Sequence, residues 1–98
     1  MASYDLSKKA TEDLYNVWNY TYETWSEVQA DRYYTILVNA FSVIASSPDA
    51  IGQSFDEILD GLRSYHVRKH MIFYTMQGNG RILIVRILHE KMDFKRHF

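Results

Sequence analysis

The chain has 98 residues, of which 47% are hydrophobic, 15% aromatic and 23% charged, with a net charge of −1 at pH 7. A domain of this length buries roughly 60–65% of the surface its unfolded chain exposes, enough for a modest core without staples. The absence of Cys excludes a disulfide framework, a thiolate zinc site and cysteine catalysis, one Pro and four Gly exclude a linker, and the near-zero charge argues against a general nucleic-acid binder.

Residues 3–6 read as a short edge strand. Ser7 then caps a first helix, whose stripe of Ala10, Leu14, Val17, Trp18, Thr21 and Trp25 follows helical spacing. Ser26 with Gln29 forms a capping box that opens a second helix. Its apolar face is read as Ala30, Tyr34, Leu37, Phe41, Ile44 and Ala45, and Ser46-Ser47-Pro48 stops it. Two helices joined this closely lie antiparallel, so residues 8–46 are read as a helical hairpin. A loop covers 46–53. Ser54 and Glu57 resemble a further capping box, which predicts one helical turn over Phe55–Leu59 ended by Gly61.

After Gly61 the pattern changes to strands. Leu62–Val67 alternates, His70–Met76 is a second strand, and Gln77-Gly78-Asn79-Gly80 is a hairpin turn. Arg81–His89 is a third strand whose apolar residues do not alternate with polar ones, so both of its faces need cover. The helical hairpin supplies cover for one face, and a partner is expected to bury part of the other. The sheet is thus placed at about 62–89 and a tail at 90–98, within a single α+β domain spanning 1–98.

The small net charge conceals an asymmetry. Residues 1–62 carry ten acids and three bases, a net −7, whereas residues 63–98 carry eight bases and two acids, a net +6. All four His, at 66, 70, 89 and 97, lie in the basic part. Either the two halves attract each other within the fold, or the basic half presents a working face to an acidic partner or a nucleic acid. The N-terminus lacks a basic and an apolar signal region, and apolar runs reach only four residues, as in Ile82–Val85. A cytoplasmic location without membrane contact is therefore expected.

Three segments resemble the ParE branch of the ParE/RelE toxin superfamily of bacterial type II toxin–antitoxin modules. They are Tyr4-Asp5-Leu6-Ser7-Lys8-Lys9-Ala10-Thr11-Glu12-Asp13-Leu14, Gly61-Leu62-Arg63 with the strand His70-Met71-Ile72-Phe73-Tyr74, and the ending Arg86-Ile87-Leu88-His89 followed by Met92-Asp93. The resemblance implies a short N-terminal strand, an antiparallel helical hairpin and a three-stranded antiparallel sheet. It implies a ParD-like antitoxin as partner in a hetero-oligomer, DNA gyrase as target, and contact with DNA only through the antitoxin.

The superfamily also contains RelE-type nucleases that cut mRNA on the ribosome. Metal-free RNA cleavage needs a general base, a general acid and cations for the phosphorane charge. Such nucleases resemble one another in an Arg before the apolar-apolar-Tyr stretch, and here that position is Met71. They also end on Tyr or His-Tyr and are strongly basic. Here Glu90 follows His89, the chain ends on Phe98 and the net charge is −1. A binding inhibitor is expected, with no catalytic residue, no metal site and no cofactor. The RelE-type endoribonuclease is the alternative, with Arg63, Arg86 and His89 as its candidate residues.

The charge distribution places the target-facing surface on Arg63, Arg68, Lys69, Lys91, Lys95 and Arg96. The antitoxin surface is placed on the helical hairpin and the sheet edge, with Trp18, Tyr22, Tyr33 and Tyr34 as exposed aromatic anchors. Arg86 interrupts an apolar strand and needs an acidic partner, for which Asp56, Glu57 and Asp93 are the candidates.

Overall fold

A computed structural model describes residues 3–98. Strand β1 (Tyr4–Leu6) leads into helix α1 (Lys8–Thr24), which turns at once into helix α2 (Glu27–Ser46). Strands β2 (Gln53–Ser54), β3 (Arg63–Val67), β4 (His70–Met76) and β5 (Ile82–His89) follow, and a 3₁₀ turn covers Phe94–His97. The strands form one sheet in the order β1-β5-β4-β3-β2. The predicted three-stranded meander is present as β3-β4-β5, but the sheet has five strands. β1 adds to β5 in parallel, and β2 adds to β3 antiparallel.

Capping fixes the helix starts as expected. Ser7 Oγ accepts the Ala10 N–H and Ser26 Oγ accepts the Gln29 N–H. The expected turn at 55–59 is hydrogen-bonded through the Phe55 carbonyl but does not become a helix. Ser54 pairs with Asp56 instead of Glu57, and the Asp56 carboxylate accepts the Gly61 N–H, closing the loop on itself.

One face of the sheet carries Ile72, Tyr74, Ile82, Ile84 and Ile87 against Ala10, Leu14, Leu37, Phe41 and Ile44 of the hairpin. Tyr34 was expected on this face. It is exposed, and its neighbour Tyr33 packs inward, so the apolar stripe of α2 runs one residue earlier in its first turns. Trp25 was also placed on the buried stripe of α1, but it caps the helix and is 74% exposed.

The opposite face carries Leu62, Met71, Phe73 and Leu88. The chain itself supplies cover there, through Phe55 and Ile58 of the loop and Phe94 of the tail. Phe94 and Phe98 both meet Phe73 edge-on, with ring centroids 5.0 and 5.1 Å away. Both faces of the sheet have cover, as the unbroken apolar run of β5 predicts. The conclusion that a partner must provide it is corrected, because the loop and the last five residues fold back.

The loop between α2 and β3 is clasped by Tyr74. Its hydroxyl donates to the Pro48 carbonyl at 2.7 Å and lies 3.0 Å from the Ile51 carbonyl. Gly52 sits beneath it at φ +82°, where a Cβ would fall 2.6 Å from that hydroxyl and 2.8 Å from the Ser64 carbonyl. Only Gly fits that approach.

Candidate functional site: a histidine-lined cleft beside β5

The site follows from how β5 is flanked. β1 pairs with Ile82–Ile84 and then ends, because the chain turns into α1 at Ser7. Beyond Ile84 the outer edge of β5 has no strand beside it. Ser7 extends the ladder by one step: its N–H donates to the Ile84 carbonyl and its Oγ donates to the Val85 carbonyl at 2.7 Å. Asp13, one and a half turns up the helix, then accepts the Ile87 N–H at 3.0 Å.

The same carboxylate holds Arg86 in a two-pronged pair, with Nε and Nη2 at 2.8 and 2.9 Å. Both side chains are nearly buried, at 14% and 13% exposure. Arg86 Nη1 also donates to the His97 carbonyl, which ties the tail to the strand. The partner of Arg86 is therefore Asp13 and none of the acids named from the sequence. Asp13 lies 73 residues away along the chain, and only the packing of α1 on β5 brings it close.

Past this pair the edge of β5 opens into a cleft of about 790 Å³. One wall is the last two turns of α1, with Val17, Tyr20 and Trp25, and the floor is Ile87–His89. Tyr33, Lys69 and His70 close the far side, and His97 and Met92 of the tail line the mouth. His70 and His89 face each other across β4 and β5, with ring centroids 5.4 Å apart. The Tyr33 hydroxyl lies 2.6 Å from His70 Nδ1 and accepts the Lys69 N–H at 3.2 Å. Burial, with smaller help from His89, lowers the His70 pKa to about 4, so this imidazole is neutral at pH 7. Burial raises the pKa of Tyr33 above its ordinary value.

The candidate target-facing residues divide. Arg68, Lys69, Lys91, Lys95 and Arg96 are exposed. Arg68 is held at φ 56° in the β3–β4 turn, and Lys95 and Arg96 point outward from the 3₁₀ turn. Arg63 stands apart from them. Its guanidinium donates to the Ile51 and Gly52 carbonyls and its Nε to the Tyr74 hydroxyl, so it fastens the α2–β3 loop. His66 meets Glu90 at 2.7 Å on the rim.

The aromatic candidates also divide, and not all are exposed as expected. Trp18 is half-buried, stacks on Tyr22 at 5.2 Å and donates its indole N–H to Asp31 across the hairpin. Tyr22 and Tyr34 are exposed. Tyr33 is half-buried in the cleft, where its hydroxyl is needed by His70 and Lys69. Sequence reasoning missed the cleft itself. Its one available signal was the position of His70 and His89 at the far ends of two strands joined by a recognisable turn.

Among the described residues no group of three or more His, Cys, Asp or Glu is placed to hold a metal ion. No helix is long and apolar enough to cross a membrane.

Comparison with known proteins bears on this geometry. A solved chain titled "Chromosomal ParDE TA system from P. aeruginosa" superimposes with a TM-score of 0.78 at 18% identity, covering 91% of this chain and 96% of its own, which shows a shared fold. "Toxin ParE1" of Mycobacterium tuberculosis is 38% identical over 94 residues, 96% of this chain and 95% of that protein. "Toxin ParE1" of Caulobacter vibrioides is 32% identical over 97 residues, 99% and 98% of the two chains. The family model described as "ParE toxin of type II toxin-antitoxin system, parDE" matches residues 4–94, which include β1, the Asp13–Arg86 pair and the whole floor of the cleft. This chain belongs to the ParE toxin family of type II toxin–antitoxin systems.

Proposed function

We propose that this toxin arrests growth by binding DNA gyrase, without catalysis, and that a ParD-like antitoxin neutralises it in the cytoplasm. The observation that carries the reading is the match to the ParE toxin family along residues 4–94. The side-chain geometry supports binding over chemistry. RNA cleavage needs a free cation beside an acid and a base poised near neutral pH. Arg86 is engaged by Asp13, Arg63 by loop carbonyls, and Met71 is buried where the nuclease branch resembles itself in an Arg. His70 is held neutral well below the range of a general acid.

The exposed cations Arg68, Lys69, Lys91, Lys95 and Arg96 then serve as a contact surface, which needs charge and no reactive group. The test is expression without the antitoxin, followed by two assays. Inhibition of gyrase supercoiling by purified toxin, with intact cellular mRNA, is the expected result. Codon-phased mRNA cleavage mapped by primer extension would replace this reading with the RelE-type endoribonuclease.

A further inference from the structure

The tail is held from outside. Its 3₁₀ turn, Phe94–His97, is four residues long, and Asp93 gives it no side-chain cap. The bond that closes it, from the Phe98 N–H to the Lys95 carbonyl, is stretched to 3.5 Å. A single turn of this kind does not stand alone, so its order comes from what it touches. Phe94 and Phe98, at its two ends, both rest edge-on against the buried ring of Phe73. Between them the His97 carbonyl accepts Arg86 Nη1 at 3.1 Å. Arg86 cannot follow a loose tail, because Asp13 already holds its Nε and Nη2.

Two of these anchors exceed what covering the sheet requires. Phe94 packs on the back cluster of Leu62, Met71, Phe73 and Leu88 and also meets Phe55. Phe98 stands outside that cluster and is 40% exposed. The third prong of Arg86 reaches a main-chain carbonyl and buries no apolar surface. What Phe98 and Arg86 add is a fixed end to the turn. The residues fixed between Phe94 and His97 are Lys95 and Arg96. Both are exposed, and neither has an ion-pair partner among the described residues. Exposed cations of this kind do little for stability, so fixing them serves something outside the fold.

We infer that Phe98 and Arg86 are positioning residues for the toxin's contact with its target: they hold the turn so that Lys95 and Arg96 meet it from one fixed backbone geometry. A segment ordered only on binding loses affinity to that ordering, and a turn ordered beforehand does not. Fixed spacing also favours a partner whose anionic groups match it over any acidic surface. A net charge of −1 gives the chain little long-range steering, so placement has to do what total charge does not. Asp13 acts one step further back, through Arg86. The inference rests on the gyrase reading above.

The experiment uses the full chain, purified gyrase and relaxed plasmid. In nitrogen relaxation NMR of the free toxin, the amides of residues 94–98 are expected to be as ordered as those of β5. Phe98→Ala is expected to loosen them with the melting temperature near that of wild type, and a wild-type tail already mobile would overturn the inference. Arg86→Lys, which lacks the fork, is expected to loosen the same amides, and an unchanged tail would remove Arg86 from the role. In supercoiling assays Phe98→Ala and Arg96→Ala are each expected to raise the half-inhibiting concentration about tenfold, and Phe98→Tyr, which keeps the ring, to stay within about threefold of wild type. The double variant Phe98→Ala with Arg96→Ala is expected to lie within about threefold of Arg96→Ala alone, because a cation on a loose turn has little left to lose. Effects that multiply would show that Phe98 acts independently of the cation, which would sink this inference and leave the gyrase reading intact. Failure of the wild-type chain to inhibit gyrase would sink both.

Discussion

β5 is one strand with two different neighbours, and the contrast explains the molecule. Along Ile82–Ile84 its outer edge is paired with β1, and its side chains alternate, with Ile82 and Ile84 in the core beneath the helices and Leu83 half-buried outside it. Along Val85–His89 the edge is served by the side chains of Ser7, the cap of α1, and of Asp13 within it, and is then left open. The change of neighbour coincides with an irregularity in the pairing to β4. Phe73 stands opposite Arg86 while Tyr74 stands opposite Ile84, so Val85 is an extra residue. The extra residue shifts the side-chain parity. Ile82 and Ile84 face the helices, and the next to do so is Ile87. The first half of β5 is thus built for stability by backbone pairing. The second half depends on one carboxylate, and what that carboxylate leaves uncovered is the cleft.

The contrast can be broken most severely at Asp13. Asp13→Ala strands a nearly buried guanidinium and a strand N–H, and is expected to cost about 3–5 kcal/mol in urea unfolding. A loss below 1 kcal/mol would show that the second half of β5 stands without it.

Acid should act on the same half. The folded pKa of His70 is lowered to about 4, below its ordinary 6.5, so the unfolded chain binds more protons between those values. Stability is therefore full above pH 6.5 and falls as pH drops toward 4, by at most about 3 kcal/mol. His70→Phe is expected to flatten this window in a series of melting curves, and a wild-type curve without slope there would contradict the burial of a neutral ring.

Ser7 lies at the junction of the two halves. Ser7→Ala removes a helix cap and the bond to the Val85 carbonyl together, with an expected cost of about 1–2 kcal/mol. Hydrogen exchange should quicken in the first turn of α1, and unchanged protection there would speak against the cap.

The smallest effect on stability is expected at the exposed cations. Lys95→Glu with Arg96→Glu should change the unfolding free energy by under about 0.5 kcal/mol. Growth arrest should nevertheless be lost, and full toxicity in the folded variant would remove the tail from the target-facing surface.

Much of this was legible in the residues. Ser7 and Ser26 are caps because a hydroxyl before a helical stripe satisfies orphan N–H groups locally. The strand at His70–Met76 and the turn after it follow from apolar continuity and the two glycines, again local features. The −7 and +6 halves were visible as counts. Their meaning was not, since Arg63 and Arg86 are internal fasteners and only part of the basic half is free at the surface.

The site belongs to the other category. Counting inward from the pair Met76 and Ile82, a regular ladder sets His70 opposite Leu88, and only the extra residue at Val85 sets it opposite His89. The partner of Arg86 was sought among acids of the sheet half, and it came from α1. Local sequence thus determined the helices, the strands, the caps and the family, because propensity, patterning and capping act over a few residues. The tertiary structure alone decided the bulge, the Asp13–Arg86 pair and the histidine-lined cleft, because each depends on how far β1 runs before the chain turns away from β5.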